Sequence, residues 1–252
     1  MKKSLIALAL VGAFAAPAFA EDSAHTFTGN VGVVTDYIFR GVSQSQQNPA
    51  LQGGFDYSHS SGFYVGTWGS NVSWVQTGNY KDNNSLELDV YGGYKGTAGP
   101  IGYDVGVLQY YYPGDVVAPA KNTDSTEVYV GLSWEFLTLK YYHTVSSHLF
   151  GWTGVAGEKT NGSGYVDLSA AYDLGNGWGV AAHVGHQTIK NNAPASYMDW
   201  KLGVTKDVGF GVVGLSYTDT DAEGCGSASN SYCWNNKDVA KSRAVLSFNK
   251  SF

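Results

Sequence analysis

Apolar and polar residues alternate along most of the chain after residue 20. Between residues 86 and 90, for example, leucine or valine occupies every second position, and Glu87 and Asp89 lie between them. Successive side chains of an extended strand point to opposite faces, so this period of two predicts β-strands. The twelve predicted strands are residues 31–40, 50–58, 63–74, 86–94, 101–112, 127–134, 137–146, 165–172, 178–189, 198–205, 210–218 and 241–252, with the weakest alternation in 63–74.

The links between these predicted strands are alternately long and short. The long links are residues 41–48, 75–85, 113–126, 147–164, 190–197 and 219–240, and the short links are 60–62, 95–100, 135–136, 173–177 and 206–209. Outer-membrane barrels have short periplasmic turns, long outer loops and an even number of strands, whereas a soluble sandwich has no reason to collect its long links at one end. We therefore predict an all-β fold, a transmembrane antiparallel up-and-down β-barrel of about 12 strands.

Aromatic residues on the apolar faces gather at the two ends of the predicted strands. Those at the short-link end are Tyr57, Phe63, Tyr94, Trp134, Tyr172, Trp178 and Phe248, and those at the long-link end are Phe39, Tyr111, Tyr141, Trp200 and Tyr217. Two such bands resemble the aromatic belts that membrane proteins place at the two interfaces. The alternative is that these rings plug the ends of a soluble sandwich core.

Composition fits a protein with one apolar and one polar surface. Of the 252 residues, 43% are apolar, only 14% are charged and 33 are glycine, whereas a typical soluble domain is about 25% charged. This balance excludes a disordered chain. The net charge of -6 argues against a nucleic-acid partner. The mean hydropathy is too low for a bundle of membrane helices. A barrel explains this value, because lipid-facing and lumen-facing residues alternate along each of its strands.

Residues 1–20 have the pattern of a secretory signal peptide. Lys2 and Lys3 precede an apolar stretch, and Ala18 and Ala20 form a small-residue cleavage site. We predict cleavage after Ala20, which leaves residues 21–252 as the barrel domain. Cleavage reduces Lys+Arg from 15 to 13 and leaves Asp+Glu at 21, so the net charge becomes -8. The predicted location is the bacterial outer membrane, with its lipid as a partner.

Two cysteines, Cys225 and Cys233, lie close together in the last long link. In an exported protein this spacing predicts one disulfide that closes a small loop. A metal site is the weaker interpretation, because two cysteines without a nearby histidine or second pair do not supply four zinc ligands. No nucleotide, haem or metal motif is present, so we expect no cofactor.

The end of the sequence carries a pattern for membrane assembly. Phe252, Phe248 and Leu246 share one face of the last predicted strand. A terminal aromatic residue preceded by alternating apolar residues resembles the signal that the barrel-assembly machinery recognises, which makes that machinery an expected partner. Lys250 departs from the pattern, but a lysine near the membrane rim can extend its amine to water.

Four segments of the sequence resemble a known family, the TorF-like proteins described as porins of Gram-negative bacteria. The matching segments are VVTDYIFRGVSQ at 33–44, PALQGGFDY at 49–57, GFYVGTWGSNV at 62–72 and ELDVYGGY at 87–94. The resemblance implies an outer-membrane barrel and a pore. It implies no catalytic residues.

Charged residues on the polar face predict the lining of the barrel and the path of a small hydrophilic solute. They are Asp36, Arg40, Asp56, Glu87, Asp89, Asp104, Glu127, Lys140, Asp167, Asp199, Lys201 and Arg243. Most acidic residues fall in predicted strands two to six, and three of the four basic residues fall in strands ten, twelve and one. One hypothesis is an acidic wall that faces a basic wall. The alternative is a network of charge pairs that fills the interior, and twelve strands allow either a narrow pore or a plugged lumen.

Two functions other than a pore remain open. A lipid-modifying hydrolase would use candidates before a long link, namely His143, Ser146, Ser147 and His148. In an extended strand His143 and Ser146 point to opposite faces, so they do not form a nucleophile–base pair, and His148 with Ser146 is the better geometry. A binding barrel would use residues 219–240 as an outer cap, in which the disulfide would hold Tyr232 and Trp234.

Overall fold

The computed structural model describes residues 24–252, so the predicted signal peptide lies outside the described residues. Its elements in chain order are β1 (His25–Val34), β2 (Ile38–Phe39), β3 (Val42–Ser43), β4 (Ala50–His59), β5 (Phe63–Asn71), α1 (Trp74–Thr77), β6 (Leu86–Ala98), β7 (Ile101–Tyr111), β8 (Ser125–Trp134), β9 (Leu137–Thr144), β10 (Gly164–Gly175), β11 (Trp178–Thr188), a 3-10 turn (Ala193–Ala195), β12 (Tyr197–Asp207), β13 (Val212–Thr220), β14 (Cys233–Trp234), β15 (Lys237–Asp238) and β16 (Arg243–Ser251). Within residues 24–252, no helix has the length and apolar character needed to cross a membrane.

Twelve of the strands form one closed antiparallel barrel, as the alternation predicts. The barrel consists of β1, the ten consecutive strands β4 to β13, and β16. Closure is made by β1, in which Val33 lies opposite Leu51 of β4 on one side and opposite Phe248 of β16 on the other. The barrel therefore has no free sheet edge.

Along the barrel strands, most leucine and valine residues face outward and most charged residues face inward. Leu51, Val90 and Leu202 are 60%, 54% and 57% exposed on the outside, whereas Glu127 and Asp199 inside are 0% and 1% exposed. A soluble barrel has the opposite arrangement, with a polar outside and an apolar interior. The outward aromatic bands are confirmed at both ends, for instance at Phe63, Trp134, Tyr172, Tyr111 and Tyr217.

The alternation of long and short links is confirmed, and most strand bounds shift by a few residues. The prediction for residues 63–74 is wrong at its end, because β5 stops at Asn71 and residues 74–77 form the short helix α1. The buried apolar core lies at the end of the barrel that carries the long links. Its largest fully buried apolar side chains are Tyr112, Leu149, Val75 and Val239. The long links therefore form a packed cap rather than separate loops.

The first predicted strand, residues 31–40, is wrong in its second half. Strand β1 begins at His25 and ends at Val34, and the following residues turn into the barrel as the two-stranded hairpin β2–β3. Arg40 and Gly41, at its tip, have φ angles of 47° and 77°. Two successive positive φ angles are typical of the tight turns that join antiparallel strands. Phe39 therefore lies inside the molecule and not in the outer aromatic band.

Cys225 and Cys233 form the predicted disulfide. Strands β14 and β15 make a second small hairpin directly after it. Trp234 of that hairpin packs against Trp74 of α1, with ring centroids 5.8 Å apart. The disulfide loop therefore contributes to the cap over the long-link end.

Candidate functional site

The lumen contains a segment of the chain itself, residues 35–49, which we call the inserted hairpin. Asp36 fixes its base: the carboxylate accepts hydrogen bonds from Ser43 at 2.6 Å and Ser45 at 2.9 Å. Arg243 of β16 pairs with the same carboxylate at 2.7 Å. Because Ser43 has no exposed surface and Ser45 is only 1% exposed, these bonds are shielded from water and hold the hairpin in one conformation.

Arg40, at the tip of the inserted hairpin, binds the opposite wall. Its guanidinium donates to both carboxylate oxygens of Glu127 on β8, at 2.6 and 3.2 Å, and to the side-chain oxygen of Gln187 on β11 at 2.8 Å. The rings of Tyr142 and Tyr165 flank it, with centroids 5.1 and 4.4 Å from the guanidinium carbon. A planar guanidinium can donate two parallel hydrogen bonds to one carboxylate, so this contact fixes the orientation of the Arg40 side chain and also pairs its charge with that of Glu127.

Glu87 is held by two tyrosines and not by a cation. Tyr37 of the inserted hairpin and Tyr112, just after β7, each donate a hydrogen bond of 2.9 Å to its two oxygens. Burial, together with the negative charges of Glu87 and Asp89, raises the pKa of both phenols well above its usual value. Both hydroxyls therefore stay protonated and act as donors. This contact adds β6 to the barrel strands that the hairpin touches.

His183 links two carboxylates on the far side of the lumen. Its ring nitrogens lie 2.6 Å from Asp167 on β10 and 2.8 Å from Asp199 on β12. Tyr165 donates a further hydrogen bond to Asp199 at 2.9 Å. Lys201 lies directly across from His183 in the pairing of β11 with β12. His186, three residues further along the chain, is on the outer face and exposed.

A third group lies on β5 and on β7 to β9. Lys140 pairs with Asp104 at 3.0 Å, and Tyr64 of β5 donates to the same carboxylate at 2.6 Å. Tyr64 also contacts the hydroxyl of Tyr129. Asp104 and Lys140 each come three residues after the start of their strand, so this group lies toward the short-link end of the barrel, below the inserted hairpin.

The twelve residues predicted to line the lumen all lie on the inner side. Two of them, Asp36 and Arg40, are on the inserted hairpin and not on the first barrel strand, which corrects their predicted placement. Arg40, Lys140 and Arg243 each pair with a carboxylate, so these contacts follow the charge-pair alternative rather than two opposed walls. Asp56 and Asp89 each keep one buried oxygen without a hydrogen-bond partner.

Sequence reasoning missed the uncharged members of this network. Gln187 and the tyrosines at 112 and 165 lie on the same inward parity as the acids, and that parity is the signal that could have found them. Tyr37 has the opposite, apolar parity and reaches Glu87 because the hairpin turns into the barrel. The parity of the predicted strand 178–189 places His183 on the lumen face, but its two carboxylate partners lie on other strands and cannot be predicted from that strand alone.

The candidate hydrolase residues do not form a side-chain pair at Ser146. Its hydroxyl donates to the main-chain carbonyl of His148 at 3.0 Å and accepts from the main chain of Thr126. The ring of His143 instead lies 3.2 Å from the hydroxyl of Tyr141. Both of these hydrogen bonds of the Ser146 hydroxyl therefore go to main-chain groups, one of them in the link that follows β9.

Comparisons with known proteins give a family and a fold. Residues 18–252 match the model of the family Gcw_chp, described as a bacterial protein of unknown function, and the chain belongs to this family. Its structure is similar to that of the NanC porin, with a TM-score of 0.56 and 12% identity over 90% of this chain and 99% of that one. It is also similar to the KdgM porin, with a TM-score of 0.53 and 6% identity over 89% and 99%. The curated proteins contain no match. At these identities the likeness shows a shared fold.

Proposed function

From the membership of this chain in the Gcw_chp family and from its barrel, we propose that the protein is an outer-membrane channel for small hydrophilic solutes that cross by passive diffusion. The observation that carries the proposal is the inverted polarity of a closed barrel. Leucine and valine face outward, and paired charges face inward. No separate catalytic site is required by this function.

The outer surface favours lipid over water. Soluble monomers rarely expose continuous apolar patches of more than a few hundred Å², yet outward leucine or valine recurs on strand after strand, as at Leu88, Val105, Val130 and Leu168. A membrane barrel requires this belt, and a closed barrel leaves no backbone group unpaired in hydrocarbon. The proposed export through residues 1–20 and the proposed assembly signal at Phe248 and Phe252 agree with this location.

The interior supports a path for polar solutes. The wall below the inserted hairpin carries Asp104, Lys140 and Tyr64, which offer both charges and hydroxyl groups to a solute. Such groups can exchange hydrogen bonds with a hydrated molecule as it passes. We propose that the twelve charged lumen residues line this path and that the inserted hairpin is its narrowest level.

The inserted hairpin also supports a second candidate, a plugged barrel without conductance. It touches β6 through Tyr37, β8 and β11 through Arg40, and β16 through Asp36. Gly41 packs so close to Asp199 on β12 that an added Cβ would lie 2.5 Å from that side chain. Contacts on so many sides leave little room between the hairpin and the barrel wall. The channel and the plugged barrel therefore differ in whether the hairpin stays docked.

Conductance of the purified protein in planar bilayers tests the proposal. A channel gives stepwise current increments that scale with salt concentration, whereas a plugged barrel leaves the membrane sealed at every voltage. Fractionation of the outer membrane, together with migration on gels that changes on heating, tests the location and the barrel independently of conductance.

A further inference from the structure

The guanidinium of Arg40 lies in a pocket that four consecutive barrel strands build. Glu127 lies on β8, Tyr142 on β9, Tyr165 on β10 and Gln187 on β11. Tyr142 and Gln187 both lie directly opposite Tyr165 in the strand pairing, so these three residues form one level of the wall. We call Glu127, Tyr142, Tyr165 and Gln187 the guanidinium pocket. Because none of the four belongs to the inserted hairpin, the pocket is a property of the barrel.

Contacts within the wall hold the groups of the guanidinium pocket without help from the hairpin. The side-chain nitrogen of Gln187 donates to the main-chain carbonyls of Gly164 at 3.0 Å and Thr188 at 3.2 Å, which turns the side-chain oxygen toward the guanidinium. The hydroxyl of Tyr165 donates to Asp199 at 2.9 Å, and this bond fixes the position of the ring. A site whose groups are already in position loses less conformational entropy when a ligand binds.

The acceptors and rings of the guanidinium pocket match a planar cation in particular. Two oxygens of Glu127 and one of Gln187 accept from two nitrogens of Arg40, at 2.6 to 3.2 Å. The rings of Tyr142 and Tyr165 flank the planar group. An ammonium is a compact, strongly hydrated charge that cannot reproduce this fork of donors. A neutral ligand leaves Glu127, which has no exposed surface, without a counter-charge.

Arg40 reaches the guanidinium pocket from the lumen, at the tip of the inserted hairpin. Its φ of 47° is uncommon for a residue with a side chain, so the backbone adopts a costly conformation to put this guanidinium in place. Such a cost weakens an attached ligand relative to a free one that binds without strain. We propose that the guanidinium pocket binds solutes that carry a guanidinium group and that Arg40 occupies it as an internal ligand.

A consequence for conductance rests on the proposed function. Glu127 binds either Arg40 or a solute, so occupancy by the solute favours the state in which the hairpin is undocked. The bonds of Tyr37 and Asp36 to the wall remain, so release of the hairpin needs a high solute concentration. In planar bilayers, ethylguanidine should therefore increase the current steps, and propylammonium at equal concentration should not.

Ethylguanidine is the probe for binding, because Arg40→Ala removes the same non-hydrogen atoms that this molecule contains. The emptied pocket therefore matches the probe in size. Propylammonium is a cation that is not planar, and ethylurea is the neutral planar analogue. The control variant Arg243→Ala empties the site of another arginine, whose guanidinium donates to Asp36 through one nitrogen.

Binding is measured by calorimetry with purified protein in lipid nanodiscs. We expect Arg40→Ala to bind ethylguanidine saturably, with an affinity at least about 10-fold higher than that of Arg243→Ala. Propylammonium and ethylurea should bind Arg40→Ala at least about 10-fold more weakly than ethylguanidine does. The double variant Arg40→Ala/Glu127→Gln lacks the buried charge, so it should fold unaided and bind no ethylguanidine.

A second measurement keeps the test decisive if Arg40→Ala does not fold alone. Folding into vesicles is then followed by heat-dependent gel migration, and ethylguanidine, but not propylammonium, should restore the folded band. The proposal is overturned if ethylguanidine neither binds Arg40→Ala saturably nor restores its folding, or if propylammonium acts equally well. Equal ethylguanidine affinity in Arg243→Ala or in the double variant would also overturn it. Because binding is measured without current, ethylguanidine binding together with sealed bilayers would refute the channel and not the pocket.

Discussion

Arg40 of the inserted hairpin and Glu127 of the barrel wall form a two-point ion pair from which water is excluded. The closer contact is 2.6 Å, and the two side chains are 5% and 0% exposed. The pair joins residues 87 positions apart in the chain. It therefore ties the conformation of the lumen segment to the assembled barrel.

Removal of Arg40 should strongly destabilise the docked hairpin. Arg40→Ala leaves Glu127 buried without its counter-charge, and loss of one partner of a buried pair typically costs about 3–5 kcal/mol. The free energy of unfolding in urea, measured in lipid vesicles, should fall by that order. Lys159→Ala, which removes one exposed cation from a long link, should change it by less than about 0.5 kcal/mol. Equal effects of the two variants would show that the pair does not hold the hairpin.

Loss of His183 should be far more damaging than loss of His186. His183→Ala removes the group between Asp167 and Asp199 and leaves two buried carboxylates close together, a change of about 3–5 kcal/mol. His186→Ala on the outer face should stay within about 0.5 kcal/mol. Unfolding in urea measures both. If His186→Ala is the more destabilising of the two, the inward and outward assignment of β11 is wrong.

Neighbouring residues of β9 test which side of the barrel faces lipid. Leu139 is 47% exposed on the outside, and Thr138 faces inward opposite Ser169 and Ser133. Arginine on the lipid face of a barrel costs about 2–4 kcal/mol near the bilayer midplane and less toward the interfaces. Leu139→Arg should therefore reduce folding into vesicles, measured by heat-dependent gel migration, more than Thr138→Arg. The reverse order would favour a soluble barrel.

The disulfide should stabilise the cap and not the barrel. The bond between Cys225 and Cys233 closes a loop across a sequence separation of 8, which corresponds to about 2–3 kcal/mol in the chain-entropy model. The paired variant Cys225→Ser/Cys233→Ser should keep its heat-dependent migration but become sensitive to protease between residues 219 and 240. Cleavage sites are identified by mass spectrometry. Loss of the folded barrel band on reduction would contradict this assignment.

The barrel could be predicted from the sequence because its physical signal is local. Strand faces follow from a period of two, and the order of the strands follows from the lengths of the links, as at the clear alternation around Glu87 and Asp89. Neither property depends on distant contacts. Parity groups the charged residues on one face, and the aromatic bands on the other face indicate that the charged face is the inner one.

The inserted hairpin could not be predicted because its alternation continues that of β1 without a break. Tyr37 and Phe39 keep the apolar parity of Val33, so a longer strand and a turn into the lumen look alike. Arg40–Gly41 is not the Asn-Gly pair that usually marks such a turn. What holds the segment inside is its set of bonds to Glu127 and Arg243, which are distant in sequence.

The conductance of a variant without the inserted hairpin tests the central claim most directly. Val34 and Ala50 lie opposite each other in the pairing of β1 with β4, so an Asn-Gly turn can replace residues 35–49 and keep the barrel closed. A control variant shortens the exposed tip at residues 155–157. In planar bilayers we expect the unmodified protein and the control to give equal current steps, and the hairpin-free variant to give steps at least about twofold larger. Sealed membranes with all three proteins, or equal steps with and without the hairpin, would contradict the account.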